Sequence, residues 1–199
     1  MKKLINIIIL LFVSTQALAA DEDPSVFLKN AADKMINAIE ANKEKLKKDD
    51  TYAESLVREH LLPLIDKESF SQGTLGSKMW GEMTPKQHQE FINGFINRVI
   101  GKYAKGIALY DGENFIFEDA EFSTKSSSAR VKSSMEQSGS EPLDIYYYLS
   151  PDSGSWLITN INVSGTDMRK SYRNQFLPRI KEIGMEKFIE ELNTTKEAE

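Results

Sequence analysis

The chain contains no cysteine. That excludes a disulfide framework, a thiolate metal site and a cysteine nucleophile. Histidine is almost as scarce, with His60 and His88 the only two. Two leave little for a transition-metal site or a histidine-based triad. Basic charge is in deficit: 25 Lys and Arg against 30 Asp and Glu give a formal net charge of −5. Such a chain is a poor partner for a nucleic-acid backbone. The sequence also lacks a Gly-x-Ser-x-Gly elbow, a His-Glu-x-x-His pair, a phosphate-binding glycine loop and a dinucleotide fingerprint. What acids and histidines there are have ordinary explanations. Asp66 and Asp111 fall at element ends, where carboxylates cap or turn. His88, beside Lys86 and Gln89, is expected in solvent, and His60, between Glu59 and Leu61, is expected as a partly exposed structural residue. No catalytic residue and no metal ligand is assigned.

The chain has 199 residues, 40% hydrophobic and 28% charged, the balance of one soluble globular domain. Its first residues read differently. Lys2 and Lys3 precede an apolar run from Leu4 to Val13, interrupted only at Asn6, and Ala17-Leu18-Ala19 supplies a small-x-small cleavage pattern. Residues 1–19 therefore read as a secretory signal peptide, too short for a permanent anchor. Residues 20–193 follow as a single domain and 194–199 as a polar tail. No cysteine follows the cleavage site to carry a lipid.

Within the domain, helices come first, then strands, then helices. Asp23-Pro24 is a helix start, followed by Leu28, Ala31, Ala32, Met35 and Ile39 at helical spacing. The polar run from Lys43 to Asp50 reads as a frayed end and loop. A second helix from Thr51 carries Leu56, Val57, Leu61 and Ile65 and is expected to kink at Pro63. Thr84-Pro85-Lys86-Gln87 is a capping box, and Phe91, Ile92, Phe95, Ile96, Val99, Ile100, Tyr103 and Ile107 then recur at three- and four-residue steps. From Asn114 the period changes to two. Four strands are predicted: one through Phe115, Phe117 and Phe122, then Ala129–Met135, Leu143–Leu149 and Trp156–Val163, joined as an antiparallel meander. Two helices, about Thr166–Phe176 and Pro178–Leu192, close the chain.

Ten Phe, seven Tyr and two Trp are a surplus for a small sheet under one long helix. Either they form a solid core, or they surround an apolar cavity between helix and sheet. In the cavity reading, Trp80, Phe91, Phe95, Val99 and Tyr103 face Phe117, Val131, Ile145, Tyr147, Trp156 and Ile158. The facing of the last strand is open, because a slip of one residue exchanges Trp156 and Ile158 for Leu157 and Thr159. Gly94, Gly101 and Gly106 lie inside the long helix, where each costs about 1 kcal/mol relative to alanine. They soften it as a lid over the cavity or permit close packing of a neighbour.

Several runs, in order, resemble one known family. They are Leu61-Leu62-Pro63-Leu64-Ile65-Asp66; Leu75-Gly76-x-x-x-Trp80; Thr84-Pro85-x-Gln87-x-x-x-Phe91-x-x-x-Phe95; Tyr103-x-x-x-Ile107-x-x-Tyr110; Trp156-x-Ile158-x-Asn160-Ile161-x-Val163-x-Gly165; and Arg173-x-x-Phe176 with Gly184 and Leu192 beyond it. Together these runs resemble the MlaC, or toluene-tolerance auxiliary, family of exported lipid carriers. Two positions depart from that pattern: Asn160, where the family usually carries aspartate, and Thr166-Asp167, where it more often has a hydrophobic–serine pair.

The resemblance implies an α+β fold in which several helices cover a strongly twisted four-stranded antiparallel sheet (NTF2-like), with an apolar cavity between the layers. It implies a periplasmic, non-enzymatic phospholipid carrier without a cofactor, whose cavity holds the acyl tails of a diacyl glycerophospholipid. The eleven residues of the cavity reading become lipid-binding residues. The implied partners are an inner-membrane ABC transporter bearing a ring of MCE domains and an outer-membrane lipoprotein–porin complex. The implied role is maintenance of outer-membrane lipid asymmetry by a monomer. Lys102, Lys105, Arg169, Lys170 and Arg173 are candidates for guiding those encounters. Two other classes stay open: an exported chaperone or adaptor that binds protein in an apolar groove, and a small-molecule enzyme on an NTF2-like scaffold.

Overall fold

The computed structural model describes residues 22–49, 51–136, 139 and 141–194. The expected signal peptide and residues 195–199 of the expected tail lie outside the described residues; Thr194, placed in that tail, closes the last helix instead.

Helix α1 spans Pro24–Ala41, and the Asp23 carboxylate caps it by accepting from the Ser25 amide at 2.8 Å. A short helix α2 (Lys43–Leu46) forms where a loop was expected, because Leu46 finds a buried site. Helix α3 (Tyr52–His60) ends ahead of Pro63 rather than kinking through it, and Leu62–Leu64 make one 3-10 turn. Proline lacks the N–H and its ring clashes with the preceding turn, so stopping is cheaper than bending. Helices α4 (Lys67–Leu75) and α5 (Ser77–Gly81) follow. The capping box then opens α6 (Pro85–Ala108): Thr84 Oγ accepts from the Gln87 amide, and Gln87 Oε1 accepts from the Thr84 amide.

The sheet has six antiparallel strands rather than four, in the order β1-β3-β4-β5-β6 with β2 also on β3. The first expected strand is two, β1 (Asn114–Phe117) and β2 (Glu121–Phe122), which pair with opposite ends of β3 (Ala129–Glu136). Strands β4 (Leu143–Asp152) and β5 (Ser155–Val163) continue the meander. A tight turn at Ser164-Gly165, with φ of 47° and 81°, then folds β6 (Thr166–Asp167) back on β5. Pairing places three apolar rows on the concave face: Ala129–Leu149–Ile158, Val131–Tyr147–Ile161, and Phe117–Ser133–Ile145–Val163.

The facing of β5 is settled by a bulge. Leu149 pairs with Ile158 while Tyr148 pairs with Asn160, so Thr159 is the extra residue. Trp156 and Ile158 point inward, and past the bulge Ile161 and Val163 share that face. Simple alternation would have turned 161 and 163 away.

Helix α7 (Met168–Ile183) runs straight through Pro178, where a break was expected. Asn174 and Pro178 are both exposed, so the carbonyl that loses its donor lies on the solvent-facing side of the helix rather than in the core. The break comes at Gly184, whose φ of 84° only glycine adopts readily, and α8 (Met185–Thr194) follows.

The core of the helical layer is aromatic. Phe95 lies 5.0 Å from Tyr172, 5.2 Å from Phe176 and 5.6 Å from both Phe70 and Phe91 between ring centres. Phe91 also meets Trp80, and Phe176 meets Phe188. Gly94 sits on the same side, where an added Cβ would lie 2.9 Å from Leu192 Cβ of α8. At Gly101 the nearest atom, Glu54 Oε1, is 4.0 Å away, and nothing lies within 4 Å at Gly106. The glycines thus divide: the first permits packing and the other two are free of it. Gly94→Ala is expected to destabilise the fold by about 1–3 kcal/mol. Gly101→Ala is expected to leave it unchanged or stabilise it by up to about 1 kcal/mol. Urea unfolding of the two variants checks the pair.

The two departures from the family pattern meet in space. Asn160, 1% exposed, donates from Nδ2 to Asp167 Oδ2 at 2.8 Å, and Asp167 also caps α7 by accepting from the Lys170 amide at 2.9 Å. An aspartate at 160 would set two carboxylates against each other. Asn160→Asp alone should cost on the order of 3 kcal/mol at neutral pH, and less as acid protonates one of the pair. Adding Asp167→Ser, which supplies a hydroxyl donor, should recover much of the loss in chemical denaturation.

Candidate functional site: an apolar cavity between helices and sheet

A cavity of about 390 Å³ lies between the concave face and the helices. Its floor is Phe117, Ile145, Tyr147, Ile158, Ile161 and Val163 of the sheet. One wall is the carboxyl-terminal half of α6, through Ile96, Val99, Ile100, Tyr103 and Ile107. The opposite wall comes from Leu28, Ala31 and Ala32 of α1, with Val57 and Leu61 of α3. Leu62, Leu64 and Ile65 close one end with Phe70 and Met168. Tyr103 is 43% exposed and also lines the space, which marks the mouth.

The wall carries no carboxylate, amine or imidazole among the described residues that form it. Its side-chain oxygen atoms are the phenols of Tyr103 and Tyr147. Ser133 Oγ donates to Tyr147 Oη at 3.4 Å, and Ser133 is fully buried. Ser133 also explains part of the void: it is the one small side chain in a row that otherwise holds Phe117, Ile145 and Val163. No group of three or more His, Asp or Glu that could hold a metal ion occurs among the described residues. His88 departs from its expected place in solvent. Its ring stacks on Trp80 at 4.0 Å, and its Nε2 is 2.8 Å from the Trp80 carbonyl oxygen. His60 stays partly exposed near Glu59.

Six of the eleven expected residues line the cavity: Val99, Tyr103, Phe117, Ile145, Tyr147 and Ile158. Five do not. Trp80, Phe91 and Phe95 are in the helical core, because the amino-terminal half of α6 is covered by α7 and α8 rather than by the sheet. Val131 and Trp156 face inward but are closed over at the cavity's edge in a second cluster with Leu28, Ala129 and Leu149. The Trp156 indole donates to the Glu22 carbonyl at 2.7 Å, which ties down the start of α1.

Sequence reasoning passed over the α1 and α3 walls and the 61–65 segment. The signal was present in Leu61-Leu62-Pro63-Leu64-Ile65, which has more consecutive apolar side chains than one helical face can bury. The five candidate docking cations do not converge. Lys102 reaches over the Tyr103 ring at the mouth, whereas Arg169 and Arg173 lie against α4.

Fold and site define an α+β protein closed around an apolar cavity whose described wall offers shape and, apart from two tyrosine phenols, no ionisable group. The MlaC protein family model matches residues 29–194, and the chain belongs to that family. It is 25% identical over 168 residues to the intermembrane phospholipid transport system binding protein MlaC of Haemophilus influenzae, covering 83% of this chain and 78% of that protein. It is 22% identical over 172 residues to the toluene tolerance protein ttg2D of Pseudomonas putida, covering 86% and 79%. A phospholipid-binding protein from Ralstonia solanacearum, solved with a phospholipid, has the same fold. The TM-score is 0.75 at 22% identity, over 87% of this chain and all of that one.

Tyr147 gives the cavity a pH signature. Its removal from water holds the phenol's pKa above the ordinary value, with the Ser133 hydrogen bond opposing weakly. The folded state then prefers the neutral phenol. That preference is fully present below the unfolded value of about 10 and is lost as pH rises through the higher folded value. Stability should therefore fall above about pH 10. Tyr147→Phe should remove part of that slope while changing neutral-pH stability by less than about 1.5 kcal/mol, as measured by urea unfolding against pH.

Proposed function

We propose that this chain is a soluble carrier of diacyl glycerophospholipid, holding acyl tails in the cavity and leaving the headgroup at the mouth beside Tyr103. The observation that carries the reading is a 390 Å³ space walled by aliphatic and aromatic side chains and free of carboxylates, amines and imidazoles. Family membership and the phospholipid in the Ralstonia protein support it. The physics supplies the need. Two tails hold about 30 methylenes, and at roughly 0.8 kcal/mol each their exposure to water costs on the order of 20 kcal/mol. A container removes that cost for the methylenes it encloses, without making or breaking a bond, so the reading requires neither enzyme chemistry nor a cofactor.

In this reading residues 1–19 direct export and are cleaved, and the mature chain works in the periplasm. It receives and delivers lipid at an outer-membrane lipoprotein–porin complex and an inner-membrane ABC transporter with an MCE-domain ring, and so maintains outer-membrane asymmetry. Among the described residues, no helix is long and apolar enough to cross a membrane. A ligand that binds the folded chain and not the unfolded one stabilises it by mass action, and covering the apolar wall adds burial, so a bound lipid should stabilise the fold.

Mass spectrometry of an organic extract of the purified protein should return diacyl phospholipid near one mole per mole. Delipidated protein should melt several degrees lower and recover on lipid addition. Val99→Trp, which fills the cavity from α6, should cut bound lipid severalfold and leave a folded protein. An extract without diacyl lipid, from protein that melts as high as the lipid-treated sample, would reject the carrier.

A further inference from the structure

A second pocket, of about 560 Å³, is the chemical opposite of the first. It lies between α4, α7 and the β4–β5 pair, and two arginines, Arg169 and Arg173, reach into it from successive turns of α7. No aspartate or glutamate lines it, although acidic residues outnumber basic ones in the chain. The remaining polar wall is donor-rich: the Ser69, Ser77 and Ser150 hydroxyls and the Gln72 amide, with the Thr159 hydroxyl donating to the Tyr148 carbonyl at 3.2 Å. Neither arginine forms an ion pair with a carboxylate of the described residues; Arg173 spends its Nε on the Thr74 carbonyl at 3.0 Å, at the end of α4.

Both guanidinium groups pack where glycine leaves room for them. A Cβ on Gly73 would lie 2.6 Å from Arg169 Nη1 and 2.7 Å from its Cδ, and a Cβ on Gly76 would overlap Arg173 Nη2. The α4 surface is thus cleared at two positions so that two arginines can lie flat on it. A fork already packed against a helix has less freedom to lose on meeting a ligand than one in open solvent. Capping α4 accounts for Arg173 Nε, but not for its free terminal nitrogens or for a second, unpaired arginine beside it.

We propose that this pocket is an oxyanion site that takes a phosphoryl group between Arg169 and Arg173. Paired, unneutralised guanidinium forks with surrounding hydroxyl donors match a tetrahedral oxyanion and supply charge-assisted hydrogen bonds to several of its oxygens. The site is separate from the acyl cavity yet shares its walls. On three elements adjacent residues serve the two spaces: Phe70 and Ser69, Ile158 and Thr159, Met168 and Arg169. The inference stands independently of the lipid-carrier reading.

The test is a titration of the mature chain, followed by the arginine Nε–Hε resonances in two-dimensional NMR at constant ionic strength made up with sodium chloride. One arm adds inorganic phosphate. The other adds glycerophosphocholine, a lipid headgroup without tails. Saturable shifts at Arg169 and Arg173 are expected in at least one arm. Binding of phosphate alone assigns the site to the free anion; binding of the diester at equal or higher affinity assigns it to a lipid headgroup. Arg169→Gln should weaken the binding about tenfold with little change in melting temperature. Gly73→Ala, which keeps both charges but pushes Arg169 off its seat, should weaken it as well. Absence of saturation in both arms overturns the proposal, and so does affinity unchanged in both variants.

Discussion

Helix α6 is longer than any one layer it packs against, and the rest of the molecule is arranged around that fact. Its 24 residues span roughly 36 Å at 1.5 Å per residue. No single partner covers that length. The amino-terminal half is sealed by α7 and α8 through Phe91 and Phe95, both fully buried among Tyr172, Phe176 and Phe188. Removing one such ring typically costs about 3–5 kcal/mol, so this end is a fixed root. The other half projects from it over the concave sheet with smaller side chains, Ile96, Val99 and Ile100. A rigid root and an under-filled span produce a persistent cavity.

The bulge at Thr159 is the second organising feature. It lets Ile158, Ile161 and Val163 all face the cavity and turns Thr159 and the Asn160 amide to the side where α7 begins. One strand therefore separates a space without charge from a space lined by arginine. A β-strand does this readily because successive side chains take opposite faces; the bulge sets where the exchange falls. Asn160 and Asp167 fasten that junction, and their identities make sense only together: an amide donor at 160 allows a carboxylate at 167.

The chemistry of the cavity wall limits what it can recognise. A pocket for chemistry needs an acid, base or nucleophile in its wall. Here the described wall presents hydrocarbon and two phenols. Recognition in such a space rests on area and shape.

The sequence by itself determined the helix–strand–helix order, the α6 capping box, the meander and six of the cavity residues, and it left the facing of Trp156 and Ile158 open. These follow from interactions between residues close in sequence: caps, turns and the periods of 3.6 and 2. The family runs were legible for the same reason. Tertiary structure alone decided which half of α6 meets the sheet, because the stripe from Phe91 to Ile107 is apolar throughout and does not name its partner. It decided that α7 continues through Pro178, since solvent exposure at Asn174 made the lost hydrogen bond tolerable. It placed Ile161 and Val163 in the cavity through a bulge that alternation does not foretell. And it brought Arg169 and Arg173 onto Gly73 and Gly76, across roughly a hundred residues of chain, where only packing of one element against another sets what meets.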